Sequence, residues 1–85
     1  MPNNLEPYVE HFTTPKAFEL KRRFTYHPPI PGQPERYEYL RRLGGELGIA
    51  IMKAVPDSRE RSLAITRLEE SIMWANAAIA RNEKG

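Results

Sequence analysis

The sequence predicts an all-α chain: an antiparallel two-helix hairpin behind a short N-terminal helix or arm, assembling into a helical homo-oligomer. Three observations carry that expectation. Tyr37, Leu40, Gly44, Leu47, Ile51 and Ala54 recur at alternating steps of three and four, the spacing of one apolar stripe along a helix. Ile65, Leu68, Ile72, Ala75 and Ile79 repeat the rhythm. Between them Val55-Pro56-Asp57 leaves almost no connector, so the second helix must fold back along the first.

Taken in order, residues 1–15 are polar and punctuated by Pro2, Pro7 and Pro15, which suggests a loosely ordered arm. Lys16 to Phe24 spaces Phe18, Leu20 and Phe24 among charges and is expected to form a short helix. The chain divides into an arm at 1–21 and a hairpin domain at 22–83. From Tyr26 to Pro34 four prolines and Gly32 exclude regular structure and make a rigid connector. Pro34 suits the first turn of the next helix, with Glu35 and Glu38 favourable at its positive end. Pro56 ends that helix, and Asp57-Ser58-Arg59-Glu60 reads as an N-cap at Asp57 with a glutamate three residues on.

This hairpin has features it does not need for itself. Leu43, Ile49, Met52, Leu63, Met73 and Trp74 fall off the main stripes and suggest contact with other subunits. Gly44, Gly45 and Gly48 lie inside a helix, where each costs about 0.8–1 kcal/mol relative to alanine. Close approach of a neighbouring helix or of a ligand would offset that cost, with helix packing the favoured explanation.

Eighty-five residues make one small domain with no cysteine to staple it, so oligomerisation is the expected remedy. The lack of cysteine fits a reducing cytoplasm. No apolar run approaches the roughly 18–20 residues that cross a bilayer, so no membrane partner is expected. The start Met1-Pro2-Asn3-Asn4-Leu5-Glu6 lacks the features of a signal peptide. A net charge of +2 is too weak for binding long nucleic acid by bulk electrostatics. The charge is uneven, however. Residues 16–42 carry seven basic groups against three acidic ones, and residues 43–85 carry six of each.

Catalytic chemistry is not evident. His11 and His27 are far apart and lack the companion spacing of a metal site, and no cofactor is expected. No serine or threonine has an identifiable triad partner. Gly44-Gly45-Glu46-Leu47-Gly48 lies in a helical pattern without the Lys-Ser/Thr of a phosphate loop. Glu69 and Glu70 are adjacent on a helix and point apart.

Binding is better supported. Arg22-Arg23-Phe24-Thr25-Tyr26-His27-Pro28-Pro29 sets guanidiniums, aromatic faces and an imidazole on a proline-stiffened backbone. Guanidiniums fork onto phosphates and aromatic rings stack on bases, which suits a small anionic ligand bearing nucleobases. Anchoring of the arm by a buried Tyr26 is the competing explanation. On the first long helix Arg41 follows Tyr37 by four residues on one face, with Arg42 beside it. That pair could hold a base and a phosphate, or be a surface cation–π contact. Near the end of the second, Trp74 and Asn76 approach Arg81 through alanines 75, 77, 78 and 80, a stretch that favours an interface. Asn76 could fix its register or reach a ligand.

The run Phe24-Thr25-Tyr26-His27-Pro28-Pro29, then Gln33-Pro34-Glu35-Arg36-Tyr37, resembles a family of small phage proteins, the helical-hairpin anti-CBASS cyclic-nucleotide sponges of the second type. So do Pro56-Asp57-Ser58-Arg59-Glu60-Arg61-Ser62-Leu63-Ala64 and the stretch from Leu68 to Arg81. The resemblance covers residues 22–83. It implies a non-enzymatic sponge that sequesters cyclic di- and trinucleotide signals in the cytoplasm of an infected bacterium. It further implies a compact hexamer with separate sites for the two ligand sizes. Tyr26 would stack on a base and Arg41, or next Arg42, would hold a phosphate. Arg81 and His27 are further candidates, for the trinucleotide site. Residues 1–21 are longer than the lead expected in that family. The other functions in contention are an oligomeric adaptor working through its arm and a weak single-strand nucleic-acid binder.

Overall fold

A computed structural model of the 85-residue chain describes residues 14–83. These form three helices: α1 (Pro15–Phe24), α2 (Gln33–Ala54) and α3 (Arg59–Asn82), with no strand among the described residues. Helices α2 and α3 pack against each other as the expected hairpin. The N-terminal arm expected at 1–15 lies, but for its last two residues, outside the described residues.

Helix α1 starts one residue before the expected Lys16. Thr14 has extended backbone and its Oγ1 accepts from the Ala17 N–H at 3.1 Å, while Pro15 takes the first turn, where no N–H is needed. The helix runs without a break through residues 21 and 22, and Lys21, Arg22 and Arg23 occupy its negative end. It stops at Thr25, whose hydroxyl donates to the Lys21 carbonyl at 2.6 Å as the backbone turns extended before the prolines.

The connector ends in a hydrogen-bonded turn. The Gln33 N–H donates to the Ile30 carbonyl at 3.0 Å, with Pro31 and Gly32 at its centre. Gly32 has φ 89° and ψ −18°, the left-handed conformation that the third residue of a type II turn demands. That turn launches α2 from Gln33, one residue ahead of Pro34.

The α2–α3 turn corrects the expected cap. Ser58, not Asp57, caps α3: its Oγ accepts from the Arg61 N–H at 3.1 Å and donates to the Pro56 carbonyl at 2.9 Å. Asp57 is drawn instead to the Arg61 guanidinium, 3.0 Å away. The same guanidinium donates to the Met52 and Val55 carbonyls at 3.4 and 3.3 Å, filling acceptors left open at the end of α2. With Asp57 committed to the Arg61 side chain, the serine is left to meet the Arg61 backbone.

Register along the hairpin is set at a glycine. A methyl on Gly44 would lie 2.7 Å from Ile72 Cγ1, so α2 and α3 touch there at a distance only glycine allows. One turn on, Gly48 faces Leu68 at ordinary contact distance, whereas Gly45 has nothing within 4 Å. Helix packing therefore accounts for Gly44 and not for Gly45. The stripes are only half covered: Leu40, Ile51, Ile65, Leu68, Ile72 and Ile79 are half-buried and Leu47 is exposed. Among the described residues Ala17 is the one buried apolar side chain, and the largest fully buried side chain is polar, Gln33.

Two pairs of substitutions check these assignments. Gly44→Ala is expected to lower stability, because overpacking of about 1–3 kcal/mol exceeds the gain of about 1 kcal/mol in helix propensity. Gly45→Ala should raise the urea midpoint or leave it unchanged. Ser58→Ala should cost about 1 kcal/mol as a lost cap. Asp57→Ala, removing a carboxylate that is itself exposed, should cost at most about 1 kcal/mol and less than the serine change.

Candidate functional site

Two regions carry most of the residues singled out by sequence. The first is the connector between α1 and α2. Tyr26 stands on it with its side chain 80% exposed, so the buried anchoring role is not the one it takes. His27 is half-buried, and its Nε2 lies 3.0 Å from the Arg22 carbonyl. A carbonyl only accepts, so Nε2 is the donor of this bond. Arg22 is itself held, with Nη1 donating to Asn82 Oδ1 at 2.8 Å and Nε 3.1 Å from Glu19 Oε2. Hydrogen bonding from Arg22, reinforced by Arg23, holds the Glu19 carboxyl below its ordinary value.

The second region is an open groove of about 640 Å³ along one face of the hairpin. Arg41 stands in it, with Gly44, Gly45 and Gly48 from α2 facing Leu68, Ile72 and Met73 from α3, and Glu69 and Asn76 beside them. Arg41 makes no hydrogen bond or ion pair among the described residues, which leaves its guanidinium available. The Asn76 Oδ1 is buried with no donor among them. Gly45 keeps the α2 side of this groove clear of a side chain.

The other candidates fall elsewhere. Arg42 lies over the Tyr39 ring, 5.6 Å from its centroid. The cation–π pair of this helix is therefore Arg42–Tyr39 rather than Arg41–Tyr37. Tyr37 is diverted because its hydroxyl points back along the helix and donates to Gln33 Oε1 at 3.2 Å. Arg81 is half-buried in the last turn of α3. Neither Tyr26, His27, Arg42 nor Arg81 lines the groove that holds Arg41.

A third cluster was not singled out by sequence. Gln33 is 2% exposed, and its carboxamide uses every bond it has. Nε2 donates to the Ile79 carbonyl at 3.2 Å and to Glu83 Oε1 at 3.0 Å, while Oε1 accepts from the Ile30 N–H at 3.0 Å and from Tyr37. Arg36 adds a two-pronged ion pair to Glu83, one arm at 2.6 Å. The register that opposes Gly44 to Ile72 and Gly48 to Leu68 also opposes Gln33 to Glu83, so the hairpin's antiparallel pairing was the available signal.

The Acb2/Tad1 hairpin domain family matches residues 19–80. The chain belongs to that family. It is the anti-CBASS sponge family, whose members are nucleotide-binding sponges rather than known enzymes. The match takes in the connector, the groove and nearly all of α3, and stops short of Asn82 and Glu83. No curated protein and no solved structure matches the chain. Among the described residues no helix is long and apolar enough to cross a membrane, and no group of three or more His, Cys, Asp or Glu is placed to hold a metal ion.

Hydrogen bonding from Arg36, then from Gln33, holds the Glu83 carboxyl down at about 2, against an ordinary 4.5. A carboxyl lowered on folding stabilises the fold above its unfolded value, and that contribution is lost as pH falls through the folded one. The cluster is therefore expected to be intact at pH 5 and to weaken as pH drops from about 4.5 toward 2. A carboxyl-carbon NMR titration should find the Glu83 midpoint well below that of a free glutamate, and Arg36→Gln should return it most of the way.

Proposed function

We propose that this protein sequesters cyclic oligonucleotide second messengers without degrading them, and so keeps CBASS effectors from being activated in the infected cell. Membership of the family over residues 19–80 is the observation that carries this reading. The geometry supplies a matching chemistry. Tyr26 offers an open π-face on a braced segment, and Arg41 offers an unengaged guanidinium beside an apolar groove. A cyclic dinucleotide has two bases and two phosphates, so it calls for two of each group.

One chain brings one Tyr26 and one Arg41, and Tyr26 does not line the groove that holds Arg41. A two-fold contact between copies would double both groups and let one copy's ring meet a ligand held by the other's arginine. The exposed side chains of Leu43, Ile49, Met52, Leu63, Met73 and Trp74 give such copies apolar surface to bury. Self-association, up to the hexamer the resemblance implies, belongs to the same proposal. Arg81 and His27 remain the candidates for a separate cyclic trinucleotide site. Sequestration needs affinity and stoichiometry, not transition-state stabilisation.

Titration calorimetry with cyclic di- and trinucleotides, and linear dinucleotides as controls, tests the reading. Tyr26→Ala is expected to weaken cyclic dinucleotide binding by about 5–150-fold, the equivalent of one lost stacking platform worth about 1–3 kcal/mol. Arg41→Ala should weaken it by about tenfold or more, with partial recovery in Arg41→Lys. Intact ligand recovered after heat denaturation would accompany sequestration. Unchanged affinity in both alanine variants would remove the proposed site.

A further inference from the structure

We infer that the Gln33–Arg36–Glu83 cluster positions the Tyr26 segment for ligand, making the last turn of α3 part of the binding machinery. The inference rests on Tyr26 being a ligand contact, as proposed above.

A ring that is four-fifths exposed gets little orientation from packing, so its aim must come from the backbone beneath it. That backbone is fixed on both sides. Upstream, His27 Nε2 donates to the Arg22 carbonyl, and the Arg22 side chain reaches Asn82. Downstream, the Ile30 N–H donates to Gln33 Oε1, and the Gln33 N–H returns to the Ile30 carbonyl. The Gln33 amide is held in turn by Ile79 and Glu83. Both braces therefore end on the last turn of α3 and its C-cap, at Ile79, Asn82 and Glu83. Between them Pro28 and Pro29 remove two backbone torsions, so the fixed ends determine most of the course of the segment.

Closing the open end of the hairpin does not by itself explain this arrangement. The Arg36–Glu83 pair already joins α2 to α3. The buried carboxamide adds a bond to the connector, through the Ile30 N–H. Its orientation is not ambiguous: the Ile79 carbonyl must receive an N–H and the Ile30 N–H must find an oxygen. Glu83 holds the amide in that orientation by taking its second N–H, while remaining outside both the groove and the connector.

The test compares full-length protein carrying Glu83→Ala, Glu83→Gln, Gln33→Leu or Tyr26→Ala. Cyclic di-AMP and cyclic di-GMP are titrated by calorimetry, and backbone ¹⁵N relaxation is measured at Tyr26, His27 and Ile30. Glu83→Ala should weaken the binding of whichever cyclic dinucleotide the wild type takes by about tenfold. Helix content and assembly size should be unchanged, and the order parameters of the three amides should fall from about 0.85 toward 0.6 or below. Glu83→Gln, whose amide oxygen still accepts from Gln33 and Arg36, should recover most of both. Gln33→Leu should do at least as much damage as Glu83→Ala, and should it fail to fold, the glutamate pair carries the test. Unchanged order parameters in Glu83→Ala overturn the inference outright. Looser amides with wild-type affinity, while Tyr26→Ala binds poorly, overturn the positioning role and leave the proposed site standing. If the wild type binds neither dinucleotide, the dinucleotide reading falls instead, and the bracing of the segment is decided by relaxation alone.

Discussion

The close approach of Gly44 to Ile72 is the contact on which the rest of this molecule depends. A side chain at position 44 would force α2 and α3 apart, and no other glycine of the hairpin stands as near the facing helix. Their separation and their register are fixed together at that point. From it the pairing runs outward in both directions, to Gly48 and Leu68 near the turn and to Gln33 and Glu83 at the open end. The hairpin needs a lock at each end because its apolar seam is thin. Arg61 supplies one by reaching back to the carbonyls that end α2, and the Gln33 carboxamide supplies the other.

Much of this was legible in sequence, for a reason that also marks where legibility stopped. The helices follow from local periodicity, and the turn from Pro56 and a run of capping residues, all signals contained within one stretch of chain. Glycine inside a helix announced a close neighbour, and Gly44 has one. Errors came where two side chains compete for the same partner. Asp57 and Ser58 are both good caps, and only the position of Arg61 decides between them. Tyr37 and Tyr39 both neighbour an arginine, and the pull of Gln33 on the Tyr37 hydroxyl leaves Tyr39 as the ring beneath Arg42.

The Gln33 cluster was invisible for a different reason. A glutamine followed by proline at the start of a helix looks like a solvent-facing residue, and its partners lie 46 and 50 positions away. Opposing residues in a hairpin can be paired only once the register is known, and here one tight contact between helices sets it. Tyr26, by contrast, stood out because the prolines after it stiffen a non-helical backbone that follows two arginines. Its exposure and the availability of Arg41 are what turn that pattern into a candidate site.

The thin seam has a consequence for dosage. Among the described residues the largest fully buried side chain is an amide and apolar burial is slight, so the self-association proposed above would supply much of what the hairpin lacks. Under that proposal mass action ties the folded fraction to the amount of protein synthesised. A sponge faces the same arithmetic, since it works only when its sites outnumber the molecules it must remove. Early in expression, sparse subunits would be both unstable and too few to matter. Past a threshold, durability and capacity would rise together, giving a sharper onset than a self-sufficient monomer could provide.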